Sequence, residues 1–148
     1  MKFLSFLLII SLFHSKTDWL TNWQEAQFKA KQEGKLILLN FSGSDWCVPC
    51  IRLHKEVFSD PGFDELVKDN LILVNADFPR LKKNQLSAAQ QKINDALAER
   101  YNTQGKFPLT VLMNEKGEVI KIYDGYAGEG VASFLGRIRD DIYSYKSR

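Results

Sequence analysis

Cysteine is scarce in this chain: two among 148 residues, Cys47 and Cys50, three positions apart. A small domain stapled by disulfides uses more cysteines at wider spacing, so these two are not a framework. Histidine is equally scarce. His54 follows Cys50 by four residues, and His14 lies near the amino terminus. A structural zinc site takes four ligands, and Cys47, Cys50 and His54 supply three, so no metal site is expected. An excess of one charge is missing too. Twenty basic and 18 acidic residues leave a formal net charge of +2, and no block of about five or six like charges occurs. That balance excludes a phosphate-tracking surface, so no nucleic-acid partner is expected. No glycine-rich strand-to-helix loop is present to cradle a nucleotide phosphate.

Long hydrophobic runs are also lacking. The longest, Phe3 to Phe13, is interrupted by Ser5 and Ser11. It falls short of the roughly 20 residues needed to span a bilayer. Behind Lys2 it has the charge and the apolar stretch of a secretory signal. Residues 1–15 are therefore expected to be a signal peptide, with export to the periplasm or a similar compartment, or membrane anchoring if the segment is not cleaved. No cysteine follows the stretch to carry a lipid. Residues 16–148 are expected to form one domain, since 45% apolar residues are enough for a single core.

Along that domain the pattern alternates between helix and strand. Asp18 is a candidate cap for a helix to about Gln32, with Trp19, Trp23, Ala26 and Ala30 on one stripe and Gly34 as the stop. Leu36 to Phe41 is a short apolar run between turn residues, read as a buried strand. A helix starts at Val48-Pro49 and runs to about Phe58; Pro61 opens another, to about Asp69. Leu71 to Ala76 is a second buried strand, and Asp77 to Gln85 a polar loop carrying Arg80, Lys82 and Lys83, read as solvated, with a partner-docking surface as the lesser alternative. A helix follows from Leu86 to Tyr101. Leu109 to Met113 and Glu118 to Tyr123 form a hairpin, and the last helix spans about Glu129 to Tyr145. The order αβαβαββα implies an α/β fold with parallel strands and an antiparallel edge.

Trp46-Cys47-Val48-Pro49-Cys50 stands at a strand-to-helix junction. At a helix start, unpaired N–H groups and the positive end of the dipole favour an anion. The Cys47 thiolate, the attacking species, is therefore favoured. Cys50, less than one turn away, can attack the Cys47 sulfur and release a mixed disulfide.

Here the chain resembles the thioredoxin superfamily. The segments carrying the resemblance are LILLNFSGSDWCVPC (Leu36 to Cys50) and KFPLTVLMNEKGEVIKIYDGY (Lys106 to Tyr126). Asp45-Trp46-Cys47 to Cys50, followed by Phe58-Ser59-Asp60-Pro61, is similar to small exported thioredoxin-like proteins. It is also similar to the carboxy-terminal domain of the membrane thiol-reductant transporter DsbD. The resemblance implies a thioredoxin-like fold with a mixed central sheet between helices. It implies a cis peptide before Pro108, with Phe107 beside the cysteine pair offering its backbone to a bound peptide. Cys47 and Cys50 would be catalytic. Trp46, Pro49, Pro108 and Asn40 would support the site, and Trp46, Phe107 and Tyr126 would meet substrate. Asn40 stands where the superfamily buries an Asp that takes a proton, which an amide cannot do at neutral pH. The lysine beside that Asp corresponds, counted from Asp77, to Leu73.

The expected activity is thiol–disulfide exchange with protein dithiols and disulfides. No dissociable cofactor is expected, because the cysteine pair carries the electrons. Reduction is the favoured direction, since Val48-Pro49 adds no charge to stabilise a thiolate, and a membrane thiol-reductant transporter is a candidate partner. Oxidation, isomerisation and non-catalytic client binding stay open as alternatives. Nothing supplies a dimerisation segment, so a monomer is expected.

Overall fold

A five-stranded mixed sheet in the order β1-β3-β2-β4-β5 organises the chain. The computed structural model describes residues 17–148, so the signal peptide expected over residues 1–15 lies outside the described residues. The strands are β1 (Trp19–Leu20), β2 (Leu36–Ser42), β3 (Leu71–Asp77), β4 (Leu109–Met113) and β5 (Val119–Asp124). The helices are α1 (Trp23–Glu33), α2 (Val48–Leu53), α3 (Pro61–Asn70), α4 (Ala88–Tyr101) and α5 (Val131–Lys146). Strands β1, β3 and β2 run parallel, while β4 and β5 are antiparallel. This is the mixed sheet between helices that the resemblance implies.

The sheet is covered on both faces, which is why β2 is mostly apolar and every one of its residues is buried. Alternation divides its side chains. Leu36 and Leu38 join one core with α2, α3 and α5, through Leu53, Phe63, Phe134 and Ile138. Ile37, Leu39 and Phe41 join the other with Ala26 and Ala30 of α1 and Leu97 of α4.

The start of the domain differs from the sequence reading. Asn22, not Asp18, caps α1; its side-chain oxygen accepts from the Glu25 N–H at 3.0 Å. Trp19 leaves the helical stripe and pairs in β1 with Leu73. Its ring packs 5.0 Å from Phe58 and 6.2 Å from Phe63, in the core opposite the one that Trp23 joins. Two strand residues show no periodicity, so their apolar content reads as part of the helix behind them. Gly34 ends α1 with φ 64°, a conformation glycine adopts without the Cβ penalty. Ser87 caps α4 two residues later than expected, accepting from the Gln90 N–H.

The helix after the cysteines also changes character. Beyond Leu53 it becomes a π turn over His54–Phe58. The Ser59 hydroxyl closes it, donating to the His54 carbonyl at 2.9 Å. The wider turn lets the consecutive residues Val57 and Phe58 both reach the core.

Candidate active site

Strand β2 delivers the chain to a tight turn at Gly43. Its carbonyl accepts from the N–H groups of Trp46 at 3.2 Å and Cys47 at 2.8 Å. A Cβ at Gly43 would collide with the Trp46 indole, so this turn needs a glycine for close approach. The turn leaves Cys47 as the cap of α2, with extended backbone and its Sγ accepting from the Cys50 N–H at 3.3 Å. A sulfur therefore does here what an Asp or Ser oxygen does at other helix starts. Pro49 sits in the first turn of α2, where an N–H is not needed.

Cys47 and Cys50 are joined as a disulfide, with Cα atoms 5.2 Å apart. Both residues are buried, but they lie beside an exposed apolar rim: Val48 is 72% and Ile51 46% exposed. The Phe107–Pro108 bond is cis, as the resemblance implies. Phe107 meets Trp46 edge to face at 5.4 Å, and Phe78 packs on Phe107 at 5.6 Å. The Trp46 indole N–H donates to the Phe78 carbonyl at 2.7 Å. So Trp46, Phe107 and Pro108 are brought together at the cysteine loop.

Asn40 lies beneath, buried in β2. Its amide donates to the Asn75 side-chain oxygen at 3.2 Å, and its oxygen accepts from the Thr110 hydroxyl at 3.1 Å. The strand register sets Asn75 and Thr110 opposite Asn40. Leu73, taken from the sequence as the neighbour of Asn40, instead pairs with Leu38 and joins the apolar core. Counting back from Asp77 could not supply this register. Alternation puts the three polar residues on the sheet face against which α2 packs. All three are neutral.

Tyr126 is placed differently from the other proposed substrate contacts. It is buried, its ring 5.8 Å from Phe134 of α5, and its hydroxyl donates to Glu56 at 2.6 Å. Burial first, and then the hydrogen bond to Glu56, raises its pKa above the ordinary tyrosine value. The hydrogen bond from Arg52, followed by that from Tyr126, holds the Glu56 carboxyl below its ordinary value. Tyr126 thus ties the chain after β5 to the cysteine helix. His54 is exposed, its ring edge-on to Phe58 at 6.4 Å. Among the described residues no group of three or more His, Cys, Asp or Glu could hold a metal ion.

The loop between β3 and α4 is where the sequence reading places it, but its attachment to the cysteine loop is not legible there. Asp45 accepts from the N–H groups of Arg80 at 2.9 Å and Leu81 at 3.0 Å, and from the Asn84 amide at 3.0 Å. These bonds, led by the Arg80 N–H, depress the Asp45 pKa. The Arg80 guanidinium lies 3.5 Å from the centre of the Trp46 ring. In the sequence Asp45 stands out only as part of the motif; an acid at that place is the available signal.

The family model of the thioredoxin-like domain matches residues 23–133, a span holding both cysteines and the cis proline. The chain belongs to the thioredoxin-like domain family. This thioredoxin-like chain is 30% identical over 118 residues to the disulfide bond reductase DsbH of Chlamydia pneumoniae, covering 80% of itself and 69% of that protein. It is equally identical over 118 residues to the thioredoxin-related protein DsbJ of the same organism, spanning 33% of that longer protein. A solved DsbH oxidoreductase matches the thioredoxin-like structure with a TM-score of 0.77 and 28% identity, over 87% of this chain and 86% of that one.

Proposed function

We propose that this protein is an exported thiol–disulfide oxidoreductase that reduces disulfides in protein clients. The observation that carries the reading is Cys47 as the cap of α2, its sulfur accepting the Cys50 N–H. When the pair is reduced, the same N–H and the helix start favour the Cys47 thiolate over the thiol. The similarity to a disulfide bond reductase supports the direction, as does the lack of charge in Val48-Pro49.

In the reaction, the Cys47 thiolate attacks one sulfur of a client disulfide. A Cys47–client S–S bond forms, the client S–S bond breaks, and the other client sulfur leaves as a thiolate that takes a proton from solvent. The Cys50 thiol then gives its proton to water, since Asn40 cannot accept it. The Cys50 thiolate attacks the Cys47 sulfur, the Cys47–client S–S bond breaks, and the second client sulfur leaves as a thiolate that also takes a proton from solvent. The client gains two electrons and two protons, and the protein ends as the Cys47–Cys50 disulfide. A second dithiol, in our reading that of a membrane thiol-reductant transporter, restores the reduced pair. No dissociable cofactor enters this cycle. Trp46 and Phe107 shape the groove with Pro108, Pro49 sets the helix start, and Asn40 supports the sheet below. The protein acts as a monomer, exported through the signal in residues 1–15 to the periplasm.

Trapping tests the assignment. Cys50→Ala, reduced and mixed with a peptide disulfide, should accumulate a covalent adduct through Cys47. Cys47→Ala should form none and should lose turnover. Turnover that survives in Cys47→Ala would overturn the proposal.

A further inference from the structure

Hydrogen bonds hold the loop after β3 against the cysteine loop. Asp45 holds the backbone of Arg80 and Leu81. The Trp46 indole holds the carbonyl of Phe78. Asn94 of α4 donates to the Asp77 carbonyl at 2.8 Å, securing the base of the loop. The result is that the Arg80 guanidinium lies over the ring of Trp46, the residue just before the attacking cysteine.

Beyond the Trp46 ring, the Arg80 charge meets no carboxylate among the described residues. Among the described residues its guanidinium makes no ion pair and no hydrogen bond. The neighbouring carboxylate, Asp45, is already occupied by backbone N–H groups and Asn84. Lys82 and Lys83, exposed on the same loop, are likewise outside any ion pair among the described residues. A guanidinium stacked on an indole keeps its N–H edges free, and a planar fork of donors fits a carboxylate in two-point fashion.

We infer that Arg80 is a specificity-determining residue that selects client segments carrying Asp or Glu next to the disulfide cysteine. The inference rests on the oxidoreductase reading and names its substrate class. A client strand laid along Trp46 and Phe107 would bring such a carboxylate to the edge of the guanidinium. Lys82 and Lys83 would add a longer-range attraction. The preference acts on binding, so it moves KM more than kcat, and it weakens as salt screens exposed charges.

The test uses three peptide disulfides alike except for Glu, Gln or Lys beside one cysteine. The unaltered protein should show kcat/KM about three- to fivefold higher for the Glu peptide than for the Lys peptide at low ionic strength, the size of an exposed ion pair. Arg80→Glu should abolish or invert that ratio, and Arg80→Lys should lower it part of the way, since lysine keeps the charge but not the two-point fit. Lys121→Glu, the same change of charge on the edge strand β5, should leave the ratio as it was. Equal kcat/KM for the three peptides, or a ratio unmoved by Arg80→Glu, would overturn the inference while leaving the oxidoreductase reading intact. A reduction potential shifted by Arg80→Glu with the ratio unchanged would also overturn it, because Arg80 would then act on the thiolate. Failure to reduce any of the peptides would instead overturn the oxidoreductase reading and, with it, the inference.

Discussion

Gly43→Ala probes the junction between the cysteine loop and its surroundings without touching either cysteine. The added Cβ would fall inside the Trp46 indole. The backbone cannot swing away freely, because the Gly43 carbonyl accepts from the Trp46 and Cys47 N–H groups. The ring must therefore move. Its hydrogen bond to Phe78 contributes about 1 kcal/mol. Its edge-to-face pair with Phe107 contributes about 0.5–1.5 kcal/mol, and its contact with Arg80 about 0.5–1 kcal/mol. Loss of all three would cost about 2–3 kcal/mol, with the precise value reduced by coupling between them. With an m-value of about 1–3 kcal/mol/M in urea for a small protein, the midpoint should fall by about 0.7–3 M. The same substitution in a Trp46→Ala background should cost far less, since the colliding ring is gone. Urea denaturation of the oxidised proteins measures both. A single-mutant change below about 0.5 kcal/mol, or an equal cost in both backgrounds, would refute the packing argument.

Two further outcomes follow from burial and charge. Phe134→Ala removes a fully buried ring packed on Phe58, Tyr123 and Tyr126, and should cost about 3–5 kcal/mol. Thermal unfolding should show a fall of about 10 °C or more; a fall of a degree or two would contradict the assignment of Phe134 to the core. The depressed Asp45 pKa means that its hold on the loop contributes fully above the ordinary aspartate value of about 3.9 and is lost as pH falls through the lower folded value. The Trp46 indole N–H resonance should report that acid transition, and Asp45→Asn should remove it. A transition unchanged in Asp45→Asn would assign it to another group.

The parts of the fold that were legible were those with a local physical cause. Leu36 to Phe41, short and bounded by turn residues, reads as a buried strand, and Gly34 reads as a helix stop. Cys47 before Val48-Pro49 announced a helix start whatever the distant chain did. What escaped depended on partners far along the sequence. Trp19 joined β1 because Leu73 lay open beside it, and no pattern in two residues declares that. The neighbour of Asn40 was set by parallel register across β2 and β3, which made it Asn75. Tyr126 was expected at the groove, yet the core beneath α5 receives its ring and Glu56 its hydroxyl. Arg80 reads in the sequence as one charge on a polar loop, and only Asp45, thirty-five residues earlier, fixes where that loop lies.

The equilibrium reduction potential of the Cys47–Cys50 pair, measured against a glutathione or dithiothreitol series, tests the central claim most directly. A protein that reduces exported disulfides should lie near about −270 mV, the level of thioredoxin. A potential near about −120 mV, the level of a strong disulfide oxidant, would contradict the proposed direction of electron flow.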